Sequence, residues 1–209
     1  MEVLKIKPIK KKKVTVYLID KNRISFEINN IDTLKELVSD NNISYITVEM
    51  NNENFKTFKN SSLFPVLNTL DLEYYLLDMP EYAYGYLYEE ILKKEEQISE
   101  LLLEYRNMND KSSLKGLNLK SWIDVLKKEA NQDKDILERK TRPQWIVKKI
   151  LDIIRSKENE ELTLIHFFHE KSLSEITEQL KELHIEVIIY EMINVHNIQY
   201  LIIKQEGNN

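Results

Sequence analysis

The chain contains no cysteine and only three glycines among its 209 residues. Without cysteine it has no disulfide, no thiolate nucleophile and no zinc site built on sulfur ligands. Gly85, Gly116 and Gly207 lie too far apart for a phosphate-binding loop, which needs several glycines close together. The Walker loop and the dinucleotide-binding fingerprint are both missing. Standard P-loop and Rossmann nucleotide sites are therefore excluded.

Long apolar runs are also lacking. No segment approaches the roughly 20 apolar residues that span a bilayer, so we expect no membrane partner. The basic segment 1–13 leads into a β-like stretch with polar breaks instead of a signal-peptide core, so we expect a cytoplasmic protein. The formal net charge is only −5, and a hydrophobic content of 42% is enough for a real core.

Segments typical of strands and helices alternate in the first eighty residues and again near the end of the chain. This order predicts an α/β fold with a single mixed, mostly parallel sheet flanked by helices. We expect the first two strands to form a hairpin and the last two to form an antiparallel edge. Asp32 is expected to cap the first helix, and Thr141 a later helix with Pro143 in its first turn. The predicted strands cover residues 13–19, 24–28, 45–50, 72–77, 162–168, 186–190 and 199–203.

The middle of the chain has a different period. Apolar residues recur every seven positions in two stretches separated by a polar turn at 109–116, which predicts two amphipathic helices that pack antiparallel as an inserted hairpin. Lys94 interrupts the first seam. The predicted organisation is therefore residues 1–80 and 142–209 as the two halves of one α/β domain, with 81–141 inserted between them. The seam residues are Leu87, Ile91, Ile98, Leu101, Tyr105, Met108, Leu119, Ile123, Leu126, Ala130 and Leu137.

Acidic and histidine side chains follow several of the predicted strands. Parallel strands place their ligand sites at their carboxyl ends, and converging carboxylates and imidazoles suit metal binding or acid–base chemistry. Glu49 and His169 are the catalytic candidates. The sequence predicts no cofactor, although this pattern would allow a divalent metal. Strand-end acids are also ordinary helix caps, and strand-end histidines often bond the backbone. The metal-ligand candidates are Glu49, Asp78, His166, His169 and Glu191.

Basic residues form two candidate nucleic-acid contacts. The first is the lysine run at 10–13, which could contact phosphates or simply keep an edge strand soluble. The second is Arg139 and Arg142, close to Trp145. The individual candidates of the lysine run are Lys10, Lys11, Lys12 and Lys13.

Three segments together resemble the TraB/PrgY-like proteins, relatives of the Tiki and ChaN group. YITVEM at 45–50 is similar to that family's glutamate-bearing strand, Arg142 before WIVKKI at 145–150 is similar to its arginine-led helix, and LIHFFH at 164–169 places His169 where the family has a histidine. The resemblance implies a metal-dependent hydrolase or a haem-binding protein. The first strand, however, ends in LIDKN where the family has glycine-x-x-histidine, which implies a degenerate relative with an incomplete metal site.

The sequence leaves three functions open. The leading hypothesis is a non-enzymatic interaction or scaffold protein, in which the seam or the turn of segment 81–141 binds a partner helix or a second copy. The second hypothesis is a metal-dependent hydrolase of the TraB type. The third is a nucleic-acid- or nucleotide-binding protein.

Overall fold

The computed structural model describes residues 12–24, 28–51, 53 and 55–191. The chain divides into two compact units, one formed by Met1–Met79 with Arg142–Asn209 and the other by Pro80–Thr141. We call them the sheet unit and the helical unit. No helix among the described residues is long and apolar enough to cross a membrane.

The sheet unit contains a five-stranded sheet in which every described strand pair is parallel. The strand order is β3-β2-β4-β1-β5. The α/β fold expected from the sequence is confirmed. The strands are β1 (Lys13–Asp20), β2 (Tyr45–Val48), β3 (Glu73–Leu76), β4 (Glu161–Phe168) and β5 (Glu186–Ile189).

Helices cover both faces of the sheet because its strands are apolar on both sides. Residues of α1, α2 and α3 share one apolar cluster with Ile19, Val48 and Phe167. Residues of α6 and α7 share a second cluster with Leu18 and Leu164. The helices are α1 (Ile28–Asp40), α2 (Phe55–Lys59), α3 (Leu63–Leu70), α6 (Arg142–Ser156) and α7 (Leu173–Glu182).

The predicted hairpin at the start of the chain is wrong. A 3₁₀ turn, Lys21–Arg23, follows β1, and α1 begins at Ile28, so the segment predicted as a second strand contributes none in its described part. Asp32 lies inside α1 and does not cap it. The correction has a physical reason: Ile31, Leu34 and Leu37 are buried, and their spacing of three residues is that of one helix face. The predicted antiparallel strand 199–203 lies outside the described residues.

The helical unit contains α4 (Glu81–Asn107) and α5 (Leu114–Ile136). Ile98 of α4 and Ile123, Leu126 and Ala130 of α5 form one buried cluster, joined by partly buried Leu101, Leu102, Tyr105 and Leu119. Ion pairs link the two helices along their length. Lys94 pairs with Asp133 at 2.6 Å, Lys134 pairs with Glu95, and Lys115 pairs with Glu104 at 2.8 Å. Higher numbers on one helix meet lower numbers on the other, so the helices are antiparallel.

A π-helical turn, Leu137–Thr141, precedes α6. Pro143 is the second residue of α6 and follows directly on this turn. Arg142 is therefore placed at the amino end of α6, the same end of the unit at which β4 and its neighbours finish.

Candidate functional site

The carboxyl ends of β1, β2 and β4 lie side by side at one edge of the sheet. Lys21 follows β1, Glu49 follows β2, and His169 follows β4. Ligand sites of open parallel sheets lie at this edge, which is why the sequence pointed to it.

Glu49 is fully buried and has hydrogen bonds to both of its carboxylate oxygens. Oε2 accepts the backbone N–H of His169 at 2.7 Å, and Oε1 accepts the Ser172 hydroxyl at 2.8 Å. Burial raises the pKa of Glu49, although the hydrogen bond from His169 and the charge of Arg142 act in the opposite direction. Glu49 therefore holds the turn after β4 against the end of β2.

Arg142 connects a second carboxylate to this group. Its Nε donates to Asp78 Oδ1 at 2.8 Å, and its Nη2 donates to Asp78 Oδ2. The two-pronged geometry is the strong form of an arginine–carboxylate pair. The same Nη2 lies 3.6 Å from Glu49 Oε1. The guanidinium thus joins the ends of β2 and β3 to the start of α6.

Lys21 completes the network and was not among the candidates from the sequence. Its Nζ donates to the backbone carbonyl of Glu49 at 2.7 Å. Burial lowers the pKa of Lys21, while the charge of Glu49 acts against that shift. The available signal was its position directly after a buried strand, the same criterion that selected Glu49. Two acids and two bases therefore lie together at the sheet edge.

His166 is buried within β4 and does not join His169. In the sheet it lies opposite Leu18 on one side and Thr47 on the other. Its Nδ1 is 2.9 Å from the Thr47 hydroxyl, and its buried Nε2 has no hydrogen-bond partner among the described residues. Burial lowers the pKa of His166 from 6.5 to about 3, so the ring is neutral at physiological pH. His169 instead caps the 3₁₀ turn Glu170–Ser172, where its ring accepts from the Lys171 N–H.

The predicted ligand set does not assemble into one metal site. Glu49 and Asp78 lie close together because the guanidinium of Arg142 contacts both carboxylates. Glu191 is exposed after β5, and β4 and β1 separate that strand from β2, which is about 14 Å of sheet at the usual strand spacing. In the described parts of the chain no group of three histidine or acidic residues could hold a metal ion. Convergence of Glu49 and Glu191 required their strands to be neighbours, and in the sheet they are not.

The basic candidates are dispersed. Lys12 donates to the carbonyls of Ile154 (3.0 Å) and Lys157 at the carboxyl end of α6, which is a structural cap. Lys13 pairs with Glu161, and Arg139 pairs with Asp135 within the helical unit. Lys10 and Lys11 lie outside the described residues. Arg142 is engaged as described above. These contacts do not form a basic surface.

The outer face of α5 carries five exposed apolar residues that the seam prediction did not include. Successive residues of a helix are about 100° apart, so these five lie within an arc of roughly 140°. The buried residues Gly116, Ile123, Leu126 and Ala130 face the other way. We call the exposed set the outer stripe: Leu114, Leu117, Trp122, Val125 and Ile136.

The TraB/PrgY-like resemblance assigns Glu49 and His169 to a metal site. In the structure the hydrogen bond between these residues joins a backbone N–H to a carboxylate, and no imidazole takes part in it. Comparison of the chain with protein-family models, with curated proteins and with solved structures finds no match.

Proposed function

We propose that this chain is a non-enzymatic interaction protein that binds an apolar helix through the outer stripe of α5. The observation that carries the proposal is the position of the stripe. α5 is apolar on two opposite sides, and only the inner side packs against α4.

The outer stripe is not needed to hold the helical unit together. The inner seam has its own apolar cluster, and ion pairs such as Lys94–Asp133 flank it. Leu114 is 77% exposed, Trp122 54% and Val125 48%. Four of the five residues lie within about the first three turns of α5, and Ile136 lies about three turns beyond Val125. Large apolar side chains exposed on one side of a helix are unfavourable in water, and such patches mark surfaces that a partner covers. A helix laid along the stripe would bury all five residues, as in helix-to-helix recognition.

The charged residues of the sheet edge support this choice of surface. Glu49 and Asp78 are used by Ser172, by Arg142 and by the backbone of His169, and these contacts hold strand ends together. Such a network has a structural use without any substrate. The proposal therefore rests on α5 and not on the sheet edge.

A photo-crosslinking residue placed at Trp122 tests the proposal in the cells that make the protein. We expect Trp122 to give discrete adducts and the same residue placed at Leu103, an exposed position on α4, to give none. We also expect Val125→Glu to abolish the adducts from Trp122, because a buried unpaired carboxylate is strongly unfavourable. Equal adducts from both positions, or adducts that survive Val125→Glu, would contradict the proposal.

A further inference from the structure

Three aliphatic residues of the outer stripe are evenly spaced. Leu114, Val125 and Ile136 follow one another at intervals of eleven residues. Eleven residues are close to three helical turns, so the three side chains lie almost on one line that is about 33 Å long. Val125 is the midpoint of that line, and the apolar residues at its ends are equivalent in character.

We infer that the partner of the outer stripe is a second copy of this chain, and that the two α5 helices pack antiparallel about a two-fold axis beside Val125. The inference rests on the proposed function and specifies its partner. In such a pair, residues at equal distances on either side of Val125 meet those of the other copy. Leu114 then meets Ile136 at both ends, and Val125 meets its own copy.

The surface of α5 offers a place for the incoming side chain. A hollow of about 520 Å³ lies over the first turns of the helix. Antiparallel packing brings Ile136 of the second copy to this hollow, as a side chain that enters a gap between residues of the facing helix. The two-fold axis repeats the contact at the other end. The hollow is lined by Leu114, Lys115, Asn118, Leu119 and Trp122.

Charges beside the stripe favour the antiparallel direction. Asp124 and Lys128 lie on the same flank of the stripe, and both are exposed. Neither forms an ion pair with another described residue of its own chain. Antiparallel packing brings Asp124 of one copy within about 3 Å, measured along the axis, of Lys128 of the other. A parallel two-fold pair in the same register would put this flank of the two copies on opposite sides of the interface, so Asp124 and Lys128 would not meet.

Sedimentation velocity of the full chain over a range of concentrations tests self-association. We expect a reversible dimer, and we expect Val125→Glu to weaken it about 100-fold, because two glutamates then meet at the two-fold axis. Leu103→Glu is the matched control, since it places the same charge on an exposed apolar position of α4 and should leave the dimer unchanged. Circular dichroism of both variants confirms that the helices are retained.

Single cysteines test the direction of packing, and the chain has no cysteine of its own to interfere. Asn118 and Gln132 are exposed and lie seven residues on either side of Val125. Under oxidation we expect a mixture of Asn118→Cys and Gln132→Cys to form a disulfide-linked heterodimer, because the paired positions fall within disulfide distance. Each variant alone should stay largely unlinked.

Two results would overturn the inference. The first is a wild-type chain that remains monomeric at every concentration. The second is that each cysteine variant alone forms a disulfide-linked homodimer efficiently, while the mixture forms no more linked dimer than the separate variants. That result would indicate parallel packing. If the chain forms no dimer but the outer stripe gives photo-adducts with a different protein, the partner is not a second copy of this chain. The proposed function would still be supported in that case.

Discussion

Glu49→Ala is the substitution with the most informative outcome for the sheet edge. It leaves the buried Ser172 hydroxyl and the His169 N–H without their acceptor, and it removes one of the two acids beside Arg142. A hydrogen bond to a charged group contributes about 1.5–3 kcal/mol, so the two bonds amount to roughly 3–6 kcal/mol. Burial of the charged carboxylate, which raises the pKa of Glu49, offsets part of this gain. We expect a net loss of about 3 kcal/mol.

Urea unfolding measures this loss. The chain has two tryptophans, one in each unit, so a Trp122→Phe background leaves Trp145 to report on the sheet unit alone. For a chain of this size the expected loss corresponds to a fall in melting temperature of about 6–12 °C. Glu170→Ala is the matched control, because Glu170 is an exposed acid in the same turn, and we expect a change within about 0.5 kcal/mol.

The opposite sign would refute this reasoning. A carboxylate kept for catalysis or metal binding is often held at a cost to stability, and its removal then stabilises the fold. If Glu49→Ala is as stable as Glu170→Ala or more stable, Glu49 does not hold the strand ends together. The hydrolase hypothesis would then regain support.

The two glycines of the helical unit give opposite expectations for one substitution. Gly85→Ala should stabilise by about 0.5–1 kcal/mol, because the added Cβ meets nothing within 4 Å and alanine favours helix. Gly116→Ala should destabilise the helical unit, because the added Cβ would lie 2.5 Å from the Lys111 carbonyl oxygen. Thermal unfolding measures both changes, and melting temperatures that shift in the same direction for both variants would contradict this reasoning. The pKa of His166 falls to about 3 on folding, so its contribution to stability is present above pH 6.5 and is lost as the pH drops towards 3. Nitrogen NMR should therefore show a neutral His166 ring at pH 5, and a protonated ring would be inconsistent with its burial. The pKa of Glu49 is raised on folding, so the folded chain takes up this proton first. The free energy of unfolding of the wild type, compared with that of Glu49→Gln, should rise as the pH falls through the raised pKa and should level off below pH 4.5. If the difference in unfolding free energy between the two proteins does not change with pH, burial does not perturb the pKa of this carboxyl group.

Local sequence determined most of the strands and helices of the sheet unit. Residues 162–168 and 186–190 are mostly aliphatic and aromatic, and both contain strands in the structure. Pro143 and the apolar spacing after it marked α6. The same reasoning failed for the second strand of the expected hairpin, because α1 begins at Ile28, the last residue of that predicted strand. An alternation that short does not separate a strand from the approach to a helix.

Strand order decided which candidate residues meet, and the sequence could not supply it. Residues at the ends of β2 and β4 were correctly placed at one edge, because parallel strands all finish on the same side. Only the order β3-β2-β4-β1-β5 brings Asp78 beside Glu49 and sets Glu191 three strands away. Arg142 joins Asp78 across 64 positions of the chain, and Glu49 joins His169 across 120. Backbone preferences act over a few residues, whereas these contacts depend on how distant strands pair. The sequence by itself therefore determined most of the elements and placed charged residues after the strands, and only the tertiary structure decided which of these residues contact one another.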